Sequence, residues 1–300
     1  MRLLQTIAGK SRNDHVGSEG AGRLPSLIII GAQKCATTSF HFYLDSHPEI
    51  GMAADKELNF FIEKGNWHRG LEWYKSNFRG PQKLLGEASP NYTAYPINEG
   101  VAERMARVNP DLKLIYLVRD PIDRMISHYA HNYASGAESR RLPDAFMPLD
   151  RSNPYLCRSL YQMQIEQFLN WFPRQQVFIA SLEEARADSR AVLQRLFQFL
   201  GVDHRVESAT FDVVAHTSRR KRRRTELGDR LWHLALARSL DLVPWKHRGP
   251  VKHIALLPFS RPFPKPILPP DMRERIVDYL QGDMVLFRQT SGQLFSDWSV

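Results

Sequence analysis

The sequence has little cysteine and no long apolar run. Only two cysteines, Cys35 and Cys157, occur in 300 residues, which excludes a disulfide framework. No apolar stretch reaches the roughly eighteen residues of a membrane-spanning helix, and no charged-then-apolar secretory leader can be identified. From these absences we expect a soluble protein that works in a reducing compartment.

The sequence also lacks the loop that binds magnesium nucleotides. Residues 27–30 are an apolar run typical of a buried parallel strand, and the small and hydroxyl residues after Gly31 open a helix whose free N–H groups favour an anion. A nucleoside triphosphate loop would read G-x-x-x-x-G-K-[ST]. Here Lys34 follows Gly31 by three residues and precedes Cys35, not a serine or threonine. The pattern predicts a phosphate ligand bound without magnesium, and no metal site.

A second strand and helix carry further polar residues. The apolar run of residues 113–118 ends at Arg119-Asp120-Pro121, and Pro121 suits the first turn of a helix. Ile122, Met125, Ile126 and Tyr129 keep helical spacing, and Ser127 falls off that apolar stripe. Arg119 and Ser127 are therefore candidate ligand-binding residues.

These two elements resemble the two signatures of the sulfotransferases that use 3′-phosphoadenosine-5′-phosphosulfate (PAPS). The first, G-x-x-K-[TGC]-[GA]-T-[TS], is matched from Gly31 to Thr38, and the second, R-[DN]-P with a serine eight residues after the arginine, from Arg119 to Ser127. Residues 56–61 resemble the E-x-x-F-F element of the heparan sulfate and carbohydrate branch. Residues 86–92 and 158–161 resemble its E-K-[ST]-P-x-Y and R-S-x-Y elements. The similarity spans residues 25–225.

The resemblance implies a role for each matched position. Lys34 is implied to meet the bridging oxygen and 5′-phosphate of PAPS, and Glu57 to be the catalytic base. Glu87 is a further candidate for orienting the acceptor. The residues implied to bind PAPS, or its product adenosine-3′,5′-bisphosphate, are Gln33, Lys34, Cys35, Ala36, Thr37, Thr38, Arg119, Ser127, Ser218, Arg219, Arg220, Lys221 and Arg222.

The positive charge is concentrated in one place. The net charge is +9, and residues 219–224 contribute six positive charges, so the excess is not a binding face spread over the protein. The resemblance places the loop that covers the 3′-phosphate here. A solvated basic loop and a nucleic-acid tail are the alternatives. We expect no specific nucleic acid partner.

The order of apolar runs and helical patterns predicts an α/β fold, a three-layer α/β/α arrangement around a parallel sheet. We expect a mobile arm over residues 1–24, a core over 25–225, and a helical and proline-rich segment over 226–300. Strands are predicted at residues 27–30, 84–86, 113–118 and 176–180, and a closing helix from Asp271 to about Phe287. Six prolines between Pro258 and Pro270 predict no regular structure there.

The sequence indicates less about the acceptor of the sulfuryl group than about its donor. Ala88 and Thr38 stand where heparan 3-O-type enzymes have basic residues, which favours a neutral sugar, lipid or small natural product with a reacting hydroxyl over an amine. Animal relatives of that branch carry a membrane anchor, so we expect a bacterial cytoplasmic enzyme. Leu231, Trp232 and Leu234 beside the arginine run suggest peripheral contact with an anionic membrane. A P-loop-type kinase and a non-catalytic nucleic-acid binder remain alternatives.

Overall fold

Five parallel strands form the centre of the structure, a computed structural model that describes residues 22–212, 222–225, 257–264 and 266–300. The central sheet has the order β2-β3-β1-β4-β5, and β6 and β7 form a separate antiparallel ladder. The strands are β1 (Leu27–Gly31), β2 (Ile50–Met52), β3 (Leu84–Ala88), β4 (Lys113–Val118), β5 (Val177–Ser181), β6 (Arg222–Arg224) and β7 (Ser260–Pro262).

Strand β1 lies at the centre of the sheet because its side chains are apolar on both faces. Residues 27–30 are fully buried, as expected for a parallel strand covered on both sides. In register, Leu27 lies beside Gly86 of β3 and Lys113 of β4. The four predicted strands are confirmed, while β2 was missed because three residues are too few to show a periodicity.

Helices flank the sheet and confirm the predicted fold class. They are α1 (Thr37–Asp45), α2 (Gly70–Ser76), α3 (Val101–Val108), α4 (Pro121–Ala134), α5 (Leu142–Ala145), α6 (Pro154–Cys157), α7 (Tyr161–Leu169), α8 (Leu182–Ala187), α9 (Ser189–Leu200) and α10 (Pro270–Ser291). The Asp120 carboxylate caps α4 by accepting from the Asp123 N–H at 2.8 Å, and Gly201 ends α9 at φ 75°.

The strand order creates a crevice between β1 and β4. The chain leaves β1 towards the β3 side of the sheet, whereas it leaves β4 towards β5. Since crossovers between parallel strands are right-handed, the helices that follow these two strands lie on opposite faces. Ligands of open α/β sheets bind where such neighbouring strands diverge, at their carboxyl ends. Both sequence signatures follow these two strands directly.

The carboxyl-terminal part contains regular structure where the prolines predicted none. Strand β6, from the basic run, pairs with β7, and Pro262 is the last residue of β7. A proline is tolerated there because the strand is at a sheet edge. Pro270 is the first residue of α10, which matches the predicted closing helix within a few residues.

Contacts with the core begin before residue 25. The Arg23 guanidinium, within the predicted arm, donates to the carbonyls of Gly80 and Gln82 at 3.0 and 2.6 Å. At the other end, Trp298 is buried and its indole N–H donates to Glu183 at 3.2 Å. In the described ranges, no helix is long and apolar enough to cross a membrane.

Candidate functional site

The loop between β1 and α1, which we call the nucleotide loop (residues 31–38), is fixed by close packing. A Cβ on Gly31 would lie 1.9 Å from the hydroxyl oxygen of Thr93, so only glycine fits. The Ala32 N–H donates to Leu117 of β4 at 2.5 Å. Lys34 and Ala36 adopt left-handed backbone conformations at φ 76° and 60°, which non-glycine residues rarely adopt outside functional sites. The loop is thereby held at the crevice between β1 and β4.

Lys34 carries a largely desolvated ammonium. Its pKa is lowered to about 8: burial is the main cause, the Glu57 carboxylate partly offsets it, and the charges of Lys56 and Arg119 act in the same direction as burial. Within the described residues, no side chain or carbonyl accepts a hydrogen bond from this ammonium. A cation that is costly to bury and lacks a partner is a binding element for an anion. The predicted role of Lys34 fits this arrangement.

The other residues of the nucleotide loop differ in what they can offer a ligand. The Cys35 side chain is buried with its sulfur 4.0 Å from the Tyr161 hydroxyl, and burial raises the pKa of the thiol to about 11. Cys35 can therefore contribute only its backbone to a ligand. Thr37 and Thr38 begin α1, where backbone N–H groups lack intrahelical acceptors.

Glu57 lies in a second loop, which we call the base loop (residues 56–59), above the end of β3. Its N–H donates to the Ala88 carbonyl at 2.9 Å, and its backbone is left-handed at φ 64°. The carboxylate is 48% exposed, and Lys56 donates to it at 3.4 Å. Its charge also acts on Lys34. The two residues predicted to be catalytic are therefore brought to the same site by different strands.

Lys56 is a site residue that the sequence analysis did not identify. Its side chain is 5% exposed, and its ammonium donates to the hydroxyls of Thr37 and Thr38 as well as to Glu57. A lysine in a polar loop has no periodic pattern to reveal such contacts, although its position beside Glu57 was a usable signal.

The expectation that Glu87 orients the acceptor is wrong. Glu87 is completely buried, and its carboxylate accepts hydrogen bonds from the hydroxyls of Tyr74, Tyr92 and Ser89 at 2.7, 2.8 and 2.6 Å. Burial raises its pKa, and these three donors lower it again. The Ser89 oxygen in turn accepts from the Asn59 N–H at 3.0 Å. Glu87 thus supports the base loop from within the core.

Arg119 and Ser127 lie where β4 ends and along α4. The Arg119 guanidinium donates to the Asp123 carboxylate at 2.7 Å, and its Nε is buried without a hydrogen-bond partner in the described part of the chain. An unsatisfied buried donor of this kind fits an anionic ligand. Ser127 is 9% exposed, on the same helix as Asp123. Their binding of PAPS stays a prediction.

Arg158 is a second cation that no sequence argument placed in the site. It donates to the side-chain oxygens of Asn91 at 2.9 Å and Gln33 at 3.4 Å. Its pKa is lowered to about 10, mainly by burial and next by the charge of Arg124, and the Glu57 charge partly offsets both effects. The predicted ligand residue Gln33 is thus attached to the segment that precedes α7. His128, on α4, is 5% exposed and packs against Tyr155.

Part of the basic run can be located. Arg222 was predicted in a ligand-covering loop, but it lies in β6 and donates to the Ser260 hydroxyl at 2.9 Å and the Ser260 carbonyl at 2.5 Å. The Arg223 guanidinium stacks 3.8 Å from the centre of the Tyr133 ring on α4. The remaining predicted residues, Ser218, Arg219, Arg220 and Lys221, lie outside the described residues, as do Leu231, Trp232 and Leu234.

A family model described as "Sulfotransferase domain" matches residues 24–230. The human bifunctional heparan sulfate N-deacetylase/N-sulfotransferase 2 is 29% identical over 201 residues, which cover 60% of this chain and 22% of that protein. The mouse heparan sulfate glucosamine 3-O-sulfotransferase 5 is 31% identical over 196 residues, which cover 61% of this chain and 55% of that protein. The chain thus spans about half or less of these relatives.

A solved structure has the same fold. The crystal structure of a sulfotransferase from Alicyclobacillus acidocaldarius superposes with a TM-score of 0.67 and 23% identity. The superposition covers 93% of this chain and all of that one. The likeness supports the parallel sheet and its flanking helices as the family architecture.

Proposed function

Because the chain belongs to the sulfotransferase domain family, we propose that it transfers the sulfuryl group of PAPS to a hydroxyl of a carbohydrate, a lipid or a small natural product. The observation that carries this proposal is the pairing of Lys34 with Glu57. A desolvated ammonium without a hydrogen-bond acceptor in the described chain lies within electrostatic range of an exposed carboxylate, and the two lie at the carboxyl ends of β1 and β3. Sulfuryl transfer needs a cation for the leaving group and a base for the acceptor.

The residues present at the crevice fit a nucleotide with two phosphate groups. The nucleotide loop offers Lys34, the hydroxyls of Thr37 and Thr38, and the N–H groups that begin α1, which together suit a 5′-phosphosulfate. At the end of β4, Arg119 has a buried Nε without a partner among the described residues, which suits the 3′-phosphate. A 3′-phosphate is absent from ATP, so Arg119 would select PAPS.

In the proposed reaction, PAPS supplies an activated sulfuryl group whose bond to the 5′-phosphate oxygen breaks as the acceptor oxygen bonds to sulfur. Lys34 holds the negative charge that develops on the leaving phosphate oxygen, as cations do in related loose transition states. Glu57 accepts the proton that the acceptor hydroxyl loses, because its carboxylate is exposed where an acceptor can reach it.

The proposal for the acceptor rests on what surrounds the base loop. Ala88 and Thr38 are uncharged where the heparan 3-O-type enzymes carry basic groups, which favours a neutral acceptor. The named sugar substrates of the relatives belong to those proteins, and a carbohydrate acceptor is proposed here from the family alone. We also propose a bacterial, cytoplasmic enzyme, since Cys35 and Cys157 are buried free thiols compatible with a reducing compartment.

Ligand-induced thermal stabilisation tests the cofactor. We expect adenosine-3′,5′-bisphosphate to raise the melting temperature more than ATP with Mg²⁺ does, because only the former carries a 3′-phosphate. Lys34→Met should lose this stabilisation, and Lys64→Met, at an exposed lysine outside the site, should keep it. A larger shift with ATP and Mg²⁺ would favour a kinase and contradict the proposal.

Transfer of label tests the reaction itself. The protein is incubated with ³⁵S-labelled PAPS and panels of neutral sugars, lipids, hydroxylated small molecules and highly sulfated polysaccharides, and products are resolved by chromatography. We expect label in at least one hydroxyl-bearing compound with the unaltered protein and none with Lys34→Met. Label that appears only in highly sulfated polysaccharides would contradict the proposed acceptor class but not the reaction.

A further inference from the structure

The ammonium of Lys56 connects the nucleotide loop with the base loop. Its Nζ lies 3.3 Å from the Thr37 hydroxyl oxygen, 3.0 Å from that of Thr38 and 3.4 Å from Glu57 Oε1. The side chain is 5% exposed, so these contacts are shielded from solvent. One buried cation thus touches both halves of the candidate site.

The chemistry of the groups fixes the direction of each hydrogen bond. An ammonium has three donors and no acceptor, so each threonine oxygen accepts from Lys56. The hydroxyl proton of each threonine must then point to another acceptor. Since Thr37 and Thr38 are the first residues of α1, free helix N–H groups surround these hydroxyls. Lys56 therefore makes both hydroxyls available as donors to an anion at the helix N-terminus.

The charges around Glu57 link this carboxylate to two lysines, Lys56 and Lys34. Burial lowers the pKa of Lys56, while the Glu57 charge and hydrogen bond raise it. Lys56 also lowers the pKa of Lys34, so two ammonium groups share one carboxylate. An anion at the nucleotide loop adds a second negative partner and relieves this repulsion. The position of Glu57 is thereby tied to occupancy of the nucleotide loop.

We propose that Lys56 is a positioning residue that orients the Thr37 and Thr38 hydroxyls as donors to the 5′-phosphosulfate and holds the Glu57 carboxylate at the acceptor side. This inference rests on the proposed function and extends it to a residue outside both sulfotransferase signatures. Lys56 acts through the threonines and Glu57, so it is distinct from the catalytic pair.

A double-mutant cycle on binding tests the orienting role. Thr38→Val should weaken adenosine-3′,5′-bisphosphate binding about tenfold, because it removes a donor to a charged phosphate. Lys56→Met should weaken it at least as much, and Thr38→Val added to Lys56→Met should cost less than about twofold more. Dissociation constants come from isothermal titration calorimetry, and Lys64→Met at an exposed position of the same loop region is the matched control.

The value of kcat at saturating substrates tests the link to Glu57. In Lys56→Met the carboxylate loses the hydrogen bond that holds it at the acceptor side, so kcat at saturating PAPS and acceptor should fall roughly tenfold. Lys56→Arg keeps a charged donor to the carboxylate and should restore most of kcat, even if its larger head group weakens nucleotide binding. A lysine that served packing alone would leave kcat at saturation unchanged in Lys56→Met.

Different results overturn different statements. Equal losses from Thr38→Val in the unaltered and Lys56→Met backgrounds, or an unchanged kcat of Lys56→Met at saturating substrates, would overturn the role of Lys56 and leave the proposed function intact. If Lys56→Met does not fold, Lys56→Gln takes its place in both measurements. If the unaltered protein binds no bisphosphate and transfers no label, the proposed function fails and this inference fails with it.

Discussion

The nucleotide loop and the base loop reach the same site by different means. The nucleotide loop is built from consecutive residues. The buried strand β1 is followed by Gly31, where no side chain fits, and then by the start of α1. The base loop is held by residues distant in sequence: Ser89 and Glu87 support it from the core, and Thr37 and Thr38 accept hydrogen bonds from its Lys56. Ligand binding is thus encoded locally, and placement of the base depends on the tertiary structure.

This difference predicts that binding and chemistry can be separated by mutation. Changes in the nucleotide loop should reduce affinity for the bisphosphate and the rate together. Changes at Glu57, and at the residues that support it from the core, should reduce the rate while leaving most of the affinity, whereas Lys56 contacts both loops and should affect both quantities.

Lys34→Met should have the largest effect. The variant removes the cation for the leaving oxygen, so we expect a loss of roughly 10³-fold in kcat/KM and a large loss of bisphosphate affinity. Initial rates with labelled PAPS and titration calorimetry measure the two quantities. The variant should fold, because removing a desolvated charge does not cost stability. Activity within tenfold of the unaltered protein would contradict the role of Lys34.

Much of the nucleotide loop and of the strands around it could be predicted from the sequence, for a physical reason. The strands β1 and β4 are continuous apolar runs, and Gly31, Lys34 and Arg119 follow them at fixed spacing. Local order is enough to place a residue at the carboxyl end of a parallel strand. The structure confirmed the strands and the sheet, and the binding roles of these residues stay predictions.

The surroundings of the base loop could not be predicted from the sequence, because their contacts join residues that are distant along the chain. Lys56 lies 18 or 19 residues from the threonines that it contacts, and nothing in its own loop indicates that it is buried. The sequence around Glu87 predicts a strand but does not indicate whether the carboxylate faces the core or the site. Glu87 was therefore wrongly predicted to orient the acceptor. Arg222 was predicted in a loop from the family resemblance, and its partner strand β7 lies in a proline-rich stretch whose sequence does not indicate a strand.

Glu57→Gln should give the second largest effect and separate the two regions. The amide cannot accept the acceptor proton, so kcat should fall roughly 10²-fold or more. Affinity for the bisphosphate should stay within about threefold, since Glu57 is not part of the nucleotide loop. Asp55→Asn, at an exposed carboxylate two residues earlier, is the matched control for the rate. A loss of affinity as large as the loss of rate would contradict the separation of binding and chemistry between the two loops.

Glu87→Gln should have an intermediate effect through the base loop. The amide nitrogen cannot accept from the Tyr74, Tyr92 and Ser89 hydroxyls, so at least one buried donor loses its partner. We expect the free energy of unfolding to fall by about 1–3 kcal/mol and kcat to fall roughly tenfold. Urea unfolding and steady-state rates measure both. Tyr74→Phe removes one donor only and should be milder, and an unchanged kcat in a destabilised Glu87→Gln would show that Glu87 does not support the base.

The pH dependence of bisphosphate binding should give the smallest effect and tests the nucleotide loop alone. The pKa of Lys34 in the free protein is about 8, so the charged fraction falls as pH rises through 8, and affinity should drop about threefold between pH 7.5 and 8.5. Because a bound anion raises this pKa, binding at pH 8.5 should take up protons, which titrations in buffers of different ionisation enthalpy detect. Lys34→Arg stays charged across this range and should lose both the drop and the proton uptake. The same threefold drop in Lys34→Arg would assign the titration to another group of the site, for which Lys56 is the nearest candidate because burial lowers its pKa as well.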